Sequence, residues 1–211
     1  MPISVEQFRP RHAQDVAQLH IQGIKTGFLS KLGNRFLIRL YRDMARTPGS
    51  VVFVARNEEN SIIGFAAGTV DTGKMYKRIL LRCGWLYCIM LLPRAFDPDV
   101  LKKIIETMLY SVRFGRRVKL PFTKNTSNIV MPVRAELLSI VVDGKNRGKN
   151  IGRQLVSALE TFFKDHAVGV YKVVTLSTDD SANAFYGHCG FALSTRFTHH
   201  ENVMNEYHKS L

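Results

Sequence analysis

Apolar and polar positions alternate or recur at helical spacing in an order that sketches a whole fold. Ile3–Phe8 alternates and reads as a strand. Over His12–Ile24 the apolar positions Val16, Leu19 and Ile24 recur at helical intervals, and Phe36, Leu37, Leu40, Tyr41 and Met44 do the same over Asn34–Ala45. Pro48-Gly49 breaks the second helix. Val51–Arg56 and Ile62–Val70 form two strands around the polar turn Glu58–Asn60, which is a hairpin signature. Gly64, Ala66, Ala67 and Gly68 keep the second strand slim, as close approach of a ligand or another backbone requires.

Leu80–Leu92 is apolar apart from Arg82 and ends at Pro93. It falls short of the ~18 residues of a spanning helix. A helix is expected over Pro98–Arg113, and an irregular basic connection over Gly115–Arg134. The pattern sharpens afterwards: a buried strand at Leu137–Val142, a polar glycine-containing loop at Asp143–Gly152, and a helix at Ile151–Asp165. A strand follows at Lys172–Ser177, then a short helix at Ser181–His188 capped by Ser181 or Asp180. Phe191–Arg196 and Val203–Lys209 make a closing strand pair. An antiparallel beginning with a helical crossover later gives an α/β or α+β sheet. The length of 211 residues fits one domain, 1–211, with an insertion at about 73–134.

Composition narrows the setting. Three cysteines (Cys83, Cys88, Cys189) form no disulfide framework and no zinc spacing, so the expectations are a reducing cytoplasm and no metal. Met1–Pro10 lacks the pattern of a signal peptide. The net charge is +13, and residues 73–134 supply ten of it, with thirteen Lys/Arg against three acids. Such a charge suits nucleic acid, an anionic membrane face or a phosphorylated ligand. No helix-turn-helix, zinc or aromatic RNA-binding signature is present, so nucleic acid is not expected.

Two motifs carry chemistry. Arg147-Gly148-Lys149-Asn150-Ile151-Gly152-Arg153 follows a strand and opens a helix. The first amides of a helix have no intrahelical partner and sit at its positive end, where small residues let an anion approach. Alone, such a loop is as often a solvated turn. Its place after an apolar strand, with a second motif downstream, favours a pyrophosphate site. The second motif is Asn183-Ala184-Phe185-Tyr186-Gly187-His188-Cys189-Gly190-Phe191, with Asn183 and Tyr186 on one helix face and Gly190 ending the helix. A phenol can protonate a departing thiolate, although a lone tyrosine here is more often a core aromatic.

Taken together, these residues resemble the GNAT superfamily of acyl-CoA N-acyltransferases. The likeness spans about 135–191, and the N-terminal strand, helices and hairpin follow the same order. The family loop is Q/R-x-x-G-x-G/A; Arg147 to Gly152 fits it except that Asn150 stands at the first glycine. Asn tolerates positive φ, so the loop is expected to form. The resemblance implies a splayed, mostly antiparallel mixed sheet flanked by helices, with a helical insertion. It also implies acetyl-CoA as co-substrate and transfer to a primary amine of a small molecule, such as an amino sugar; a non-catalytic acyl-CoA-binding module and a protein amine acetyltransferase are the alternatives. Backbone groups of Ile140, Val141 and Val142 would pair with pantetheine, Arg147–Arg153 would hold the pyrophosphate, Asn183 and Phe185 would face the cofactor, and Tyr186 would be the general acid. Glu136, read by alternation as sharing a face with Leu138 and Ile140, is either the general base or a structural or substrate-orienting carboxylate. His20 and His188 are weaker base candidates. The stretch Phe28-Leu29 to Leu40-Tyr41 is similar to GNAT members of bacterial polysaccharide biosynthesis. The basic insertion is read as core, lid or dimer surface, or as contact with a membrane or lipid-linked substrate.

Overall fold

The computed structural model describes residues 3–25, 27–91, 132–199 and 202–211. Among the described residues, seven strands form one sheet in the order β1-β2-β3-β4-β5-β7-β6. They are β1 (Ser4–Gln7), β2 (Ser50–Arg56), β3 (Ile62–Thr69), β4 (Ala135–Val142), β5 (Val170–Leu176), β6 (Ala192–His199) and β7 (Asn202–Ser210). Only the β4–β5 pairing is parallel; the remaining neighbours run antiparallel. The helices are α1 (Ala13–Gly23), α2 (Phe28–Lys31), α3 (Asn34–Ala45), α4 (Thr72–Leu91), α5 (Ile151–Asp165) and α6 (Asp180–His188). The mixed, mostly antiparallel sheet flanked by helices is the expected architecture. No described helix is long and apolar enough to cross a membrane.

Each sheet face has its own core. On one, α1, α3 and α4 bring Val16, Leu37, Leu40, Tyr41, Met75, Ile79 and Cys83 onto Val52, Val54 and Phe65. On the other, α5 and α6 bring Leu155, Leu159, Phe163 and Tyr186 onto Ala66, Leu137, Tyr171 and Val173. The small residues of β3 make room for α5: a Cβ on Gly68 would stand 2.7 Å from the Leu159 side chain, and one on Gly64 3.3 Å from Leu155. The body that approaches the slim strand is therefore a helix. Leu155, Leu159 and Phe163 are fully buried there, each worth about 1.5–3 kcal/mol.

Three details differ from the expectation. α4 begins at Thr72, ahead of the apolar run at Leu80. The N-cap of α6 is Asp179, whose carboxylate accepts from the Ala182 amide, rather than Asp180 or Ser181. A bulge in β4 skips Leu138: Ala67 faces Ser139 and Gly68 faces Leu137. The extra residue shifts the alternation, so Leu138 and Val141 pack with the α1/α3 core while Leu137, Ile140 and Val142 pack with the α5 core. Ile140 thus points away from the face that holds Leu138, against the simple alternation. The expected helix at Pro98–Arg113 lies outside the described residues, as does most of the connection after it.

Candidate active site

The site starts from a gap in the sheet. β4 and β5 pair only through Ala135–Leu137 against Tyr171–Val173. Beyond that point β4 stays bound to β3 as far as Val142, and β5 to β7 as far as Leu176. Each strand is held by its outer neighbour while the two diverge, which leaves backbone donors and acceptors facing the opening. A cleft of about 1350 Å³ occupies it. Leu138–Val142 and Val173–Leu176 form its two walls, and the start of α5 forms one end.

That end is built for an anion. A short 3-10 turn at Gly144–Asn146 leads into the loop, where Gly148 has φ 77° and Asn150 φ 63°. No atom lies within 4 Å of a Cβ placed on Gly148, so glycine is needed there for its backbone angle and not for space. The amide of Gln154 is the first to bond back, to the Asn150 carbonyl, at 3.2 Å. The amides of Ile151, Gly152 and Arg153 are left at the positive end of α5. Arg147, Gly148, Asn150, Ile151, Gly152 and Arg153 all line the cleft. Gly152 has a second role, because a Cβ there would lie 2.8 Å from the Phe185 ring. Lys149 turns aside, its Nζ donating to Asn146 Oδ1 at 2.9 Å, and is not on the cleft wall.

Tyr186 stands on the α5/α6 side of the cleft, its ring against Phe185, Phe191 and Tyr207. Burial, then the charges of Asp179 and Cys189, hold its phenol well above the usual tyrosine range, so it keeps its proton. Among the described residues no side chain hydrogen-bonds its hydroxyl. Phe185 lines the cleft beside it. Asn183 does not reach the cleft wall. Its Nδ2 donates to the carbonyls of Leu176 and Ser177, both at 3.1 Å, and its Oδ1 accepts from Asn205 and Tyr207, both at 3.0 Å. The carboxamide ties the diverging end of β5 to α6 and β7.

Glu136 also lies off the cleft wall. It sits where β4 and β5 still pair, on the α1/α3/α4 side, and accepts from Thr72 Oγ1 at 2.9 Å. Burial raises its carboxyl above the usual range, against the pull of Lys172 and the Thr72 hydroxyl; the Glu206 charge adds to the rise. Lys172 is its register partner on β5 and donates to Glu206 at 3.1 Å, and Glu206 bonds His208 at 2.7 Å. This charged network was missed from sequence. Its one signal was Lys172, the only charged residue in Val170–Leu176.

His20 lies on the opposite cleft wall from Tyr186 and is 2% exposed. Its Nδ1 is 2.6 Å from the Tyr41 hydroxyl, and its Nε2 has no partner. Burial pushes its pKa down to about 4, so the ring is neutral near pH 7 and a weak base. His188 is exposed at the cleft rim, with its carbonyl accepting from Arg153 at 3.4 Å. Among the described residues no group of three or more metal-ligating side chains converges.

Comparison with known proteins gives this geometry a family. Residues 117–191 match the model of the acetyltransferase (GNAT) family. No curated protein matches the sequence significantly. The fold is shared with a GCN5-related N-acetyltransferase from Kribbella flavida: TM-score 0.61, 12% identity, 99% of this chain and 98% of that one covered. It is shared with Ard1 from Thermoplasma volcanium: TM-score 0.59, 12% identity, 100% and 99% covered. A spermidine N-acetyltransferase chimera of Vibrio cholerae SpeG and hSSAT has TM-score 0.59 at 10% identity, with 100% and 96% covered. Residues 117–191, which include β4, the loop after it, α5, β5 and α6, thus match the acetyltransferase (GNAT) family, and the chain as a whole shares its fold with acetyltransferases of that kind.

Proposed function

We propose that this enzyme moves the acetyl group of acetyl-CoA to a primary amine of a small molecule, an amino sugar or similar compound, by direct attack. The observation that carries the reading is the opening between β4 and β5, which runs from the start of α5 past Tyr186. A pyrophosphate on the amides of Ile151, Gly152 and Arg153 directs the pantetheine arm into that opening, where the backbone of Ile140, Val141 and Val142 can pair with its amides. The thioester then reaches the level of Tyr186.

The amine nitrogen attacks the thioester carbonyl, forming the new C–N bond. The C–S bond breaks and the sulfur leaves as a thiolate. Tyr186, held protonated by its burial, gives that thiolate its proton. The attacking amine must lose a proton. Glu136 is the assigned acceptor, through water, because it lies on the sheet face opposite Tyr186 and its burial raises its carboxyl above the usual range. Asn183 and Phe185 hold α6 and the phenol in place.

The test is thiol release from acetyl-CoA across a panel of amines, with Tyr186→Phe beside the wild type. The expected result is a kcat lowered by about 10²–10⁴-fold with acetyl-CoA affinity nearly unchanged. An unaltered kcat removes Tyr186 from the mechanism. Turnover confined to peptide amines overturns the small-molecule assignment.

A further inference from the structure

The two faces of α4 differ sharply. Met75, Ile79, Cys83 and Tyr87, four residues apart, are buried toward α3 and the sheet. On the outer face Leu81 is 78% exposed, Trp85 65% and Ile89 54%, again four apart. Single exposed apolar residues are ordinary. Three large ones aligned on one helix face form a stripe that water does not favour. The other exposed positions on this helix are mainly cations: Lys74, Lys77, Arg78 and Arg82. The helix contains no Asp or Glu at all. Lys74 pairs with Asp71 and Arg78 donates to the Pro48 carbonyl, whereas Lys77 and Arg82 have no ion pair among the described residues.

We propose that the outer face of α4 docks on the surface of an anionic lipid bilayer. The helix lies in the plane of the interface, with Leu81, Trp85 and Ile89 below the headgroups and Lys77 and Arg82 among the phosphates. A tryptophan between an apolar stripe and a basic rim matches the chemistry of that boundary. The helix does not span, since its other face is committed to the protein core. Charge decides the occupant. A second copy of this chain brings the same +13 and the same basic helix to the contact, so the two surfaces repel. An anionic bilayer offers the opposite sign over the same area.

Trp85 is the chain's only tryptophan, so the proposed contact carries its own reporter. The experiment follows its fluorescence as the full-length protein is titrated with vesicles of phosphatidylcholine alone or mixed with phosphatidylglycerol. The expected result is a blue shift with the anionic vesicles, quenched by brominated lipid and reversed by salt, and little change with the neutral ones. Lys77→Gln with Arg82→Gln weakens binding by about twenty-five-fold, at roughly fivefold per cation near the surface. Leu81→Ser with Ile89→Ser weakens it by about tenfold or more. All four side chains are exposed, so these variants keep the fold and leave the reporter intact. Three results overturn the proposal: no shift with anionic vesicles, equal affinity for neutral ones, or the same shift on raising protein concentration without lipid, which would assign the face to a second copy.

Discussion

Asn150 offers a clean test of whether loop conformation governs cofactor affinity. Its φ of 63° and ψ of 11° place it in the left-handed region. Its side chain is exposed and makes no capping bond to α5, so a substitution there changes the backbone preference and little else. The left-handed region costs an ordinary L-residue about 1–2 kcal/mol, and asparagine less. Asn150→Ala therefore raises the cost of holding the loop open to an anion by about 1 kcal/mol. If the loop relaxes locally, the binding-competent fraction falls and acetyl-CoA binds about fivefold more weakly, with no change in global stability. If the loop is locked to the fold, the same energy appears as lost stability with affinity preserved. Asn150→Gly is near neutral, because relief of the backbone angle is offset by the greater freedom of the unfolded chain. Calorimetric titration with acetyl-CoA and chemical denaturation of all three proteins give both quantities. Equal affinity within twofold and equal stability for the Ala and Gly variants would refute the argument and detach the loop angle from binding.

Two further outcomes follow from buried polar groups. His20 has a folded-state pKa near 4, below its ordinary value of 6.5, so the unfolded chain binds the extra proton first. Stability is then full above pH 6.5 and falls as the pH drops through the window from 6.5 to 4, by about 2 kcal/mol at pH 5. Urea denaturation at pH 7 and pH 5 measures this, and His20→Gln is expected to remove that share of the acid sensitivity; an unchanged pH dependence would contradict it. Asn183→Ala strands the carbonyls of Leu176 and Ser177 together with the Tyr207 hydroxyl and the Asn205 amide. At about 1 kcal/mol for each of the four lost partners, the expected loss is about 4 kcal/mol. It should be visible in thermal unfolding and accompanied by weaker acetyl-CoA binding as α6 loosens; a loss under 1 kcal/mol would show that the amide is not the tie between β5, α6 and β7.

Much of this fold was legible in the chain because the signals were local and repeated. α3 and α5 have the bounds their apolar spacing predicts, since Leu37, Leu40, Tyr41 and Met44, and Leu155, Leu159 and Phe163, each line one buried face. The left-handed Asn150 and the helix stop at Gly190, with φ 84°, were readable because both depend on one residue's backbone freedom. The first half of α4 was obscured by Lys74, Lys77 and Arg78. Its spacing by fours from Met75 to Tyr87 shows only once the basic face is known to point outward. The cap at Asp179 differs by one residue from Asp180, a distinction that rests on backbone angle and not on residue type.

By itself, then, the sequence determined the order of elements, the glycine-containing turn that opens α5 and the tyrosine helix, because each is a property of neighbours along the chain. Only the tertiary structure decided what those elements do together. The bulge at Leu138 turns Ile140 away from its expected face. The early end of β4–β5 pairing at Leu137 and Val173 opens the cleft. The bonds around Asn183 withdraw it from the cleft wall, and Glu136 comes to rest beside Lys172 on β5. Each depends on which strand lies next to which, and on where a hydrogen-bond ladder finds a better partner on its other edge. That competition is between segments distant in the chain, and no local pattern records its outcome.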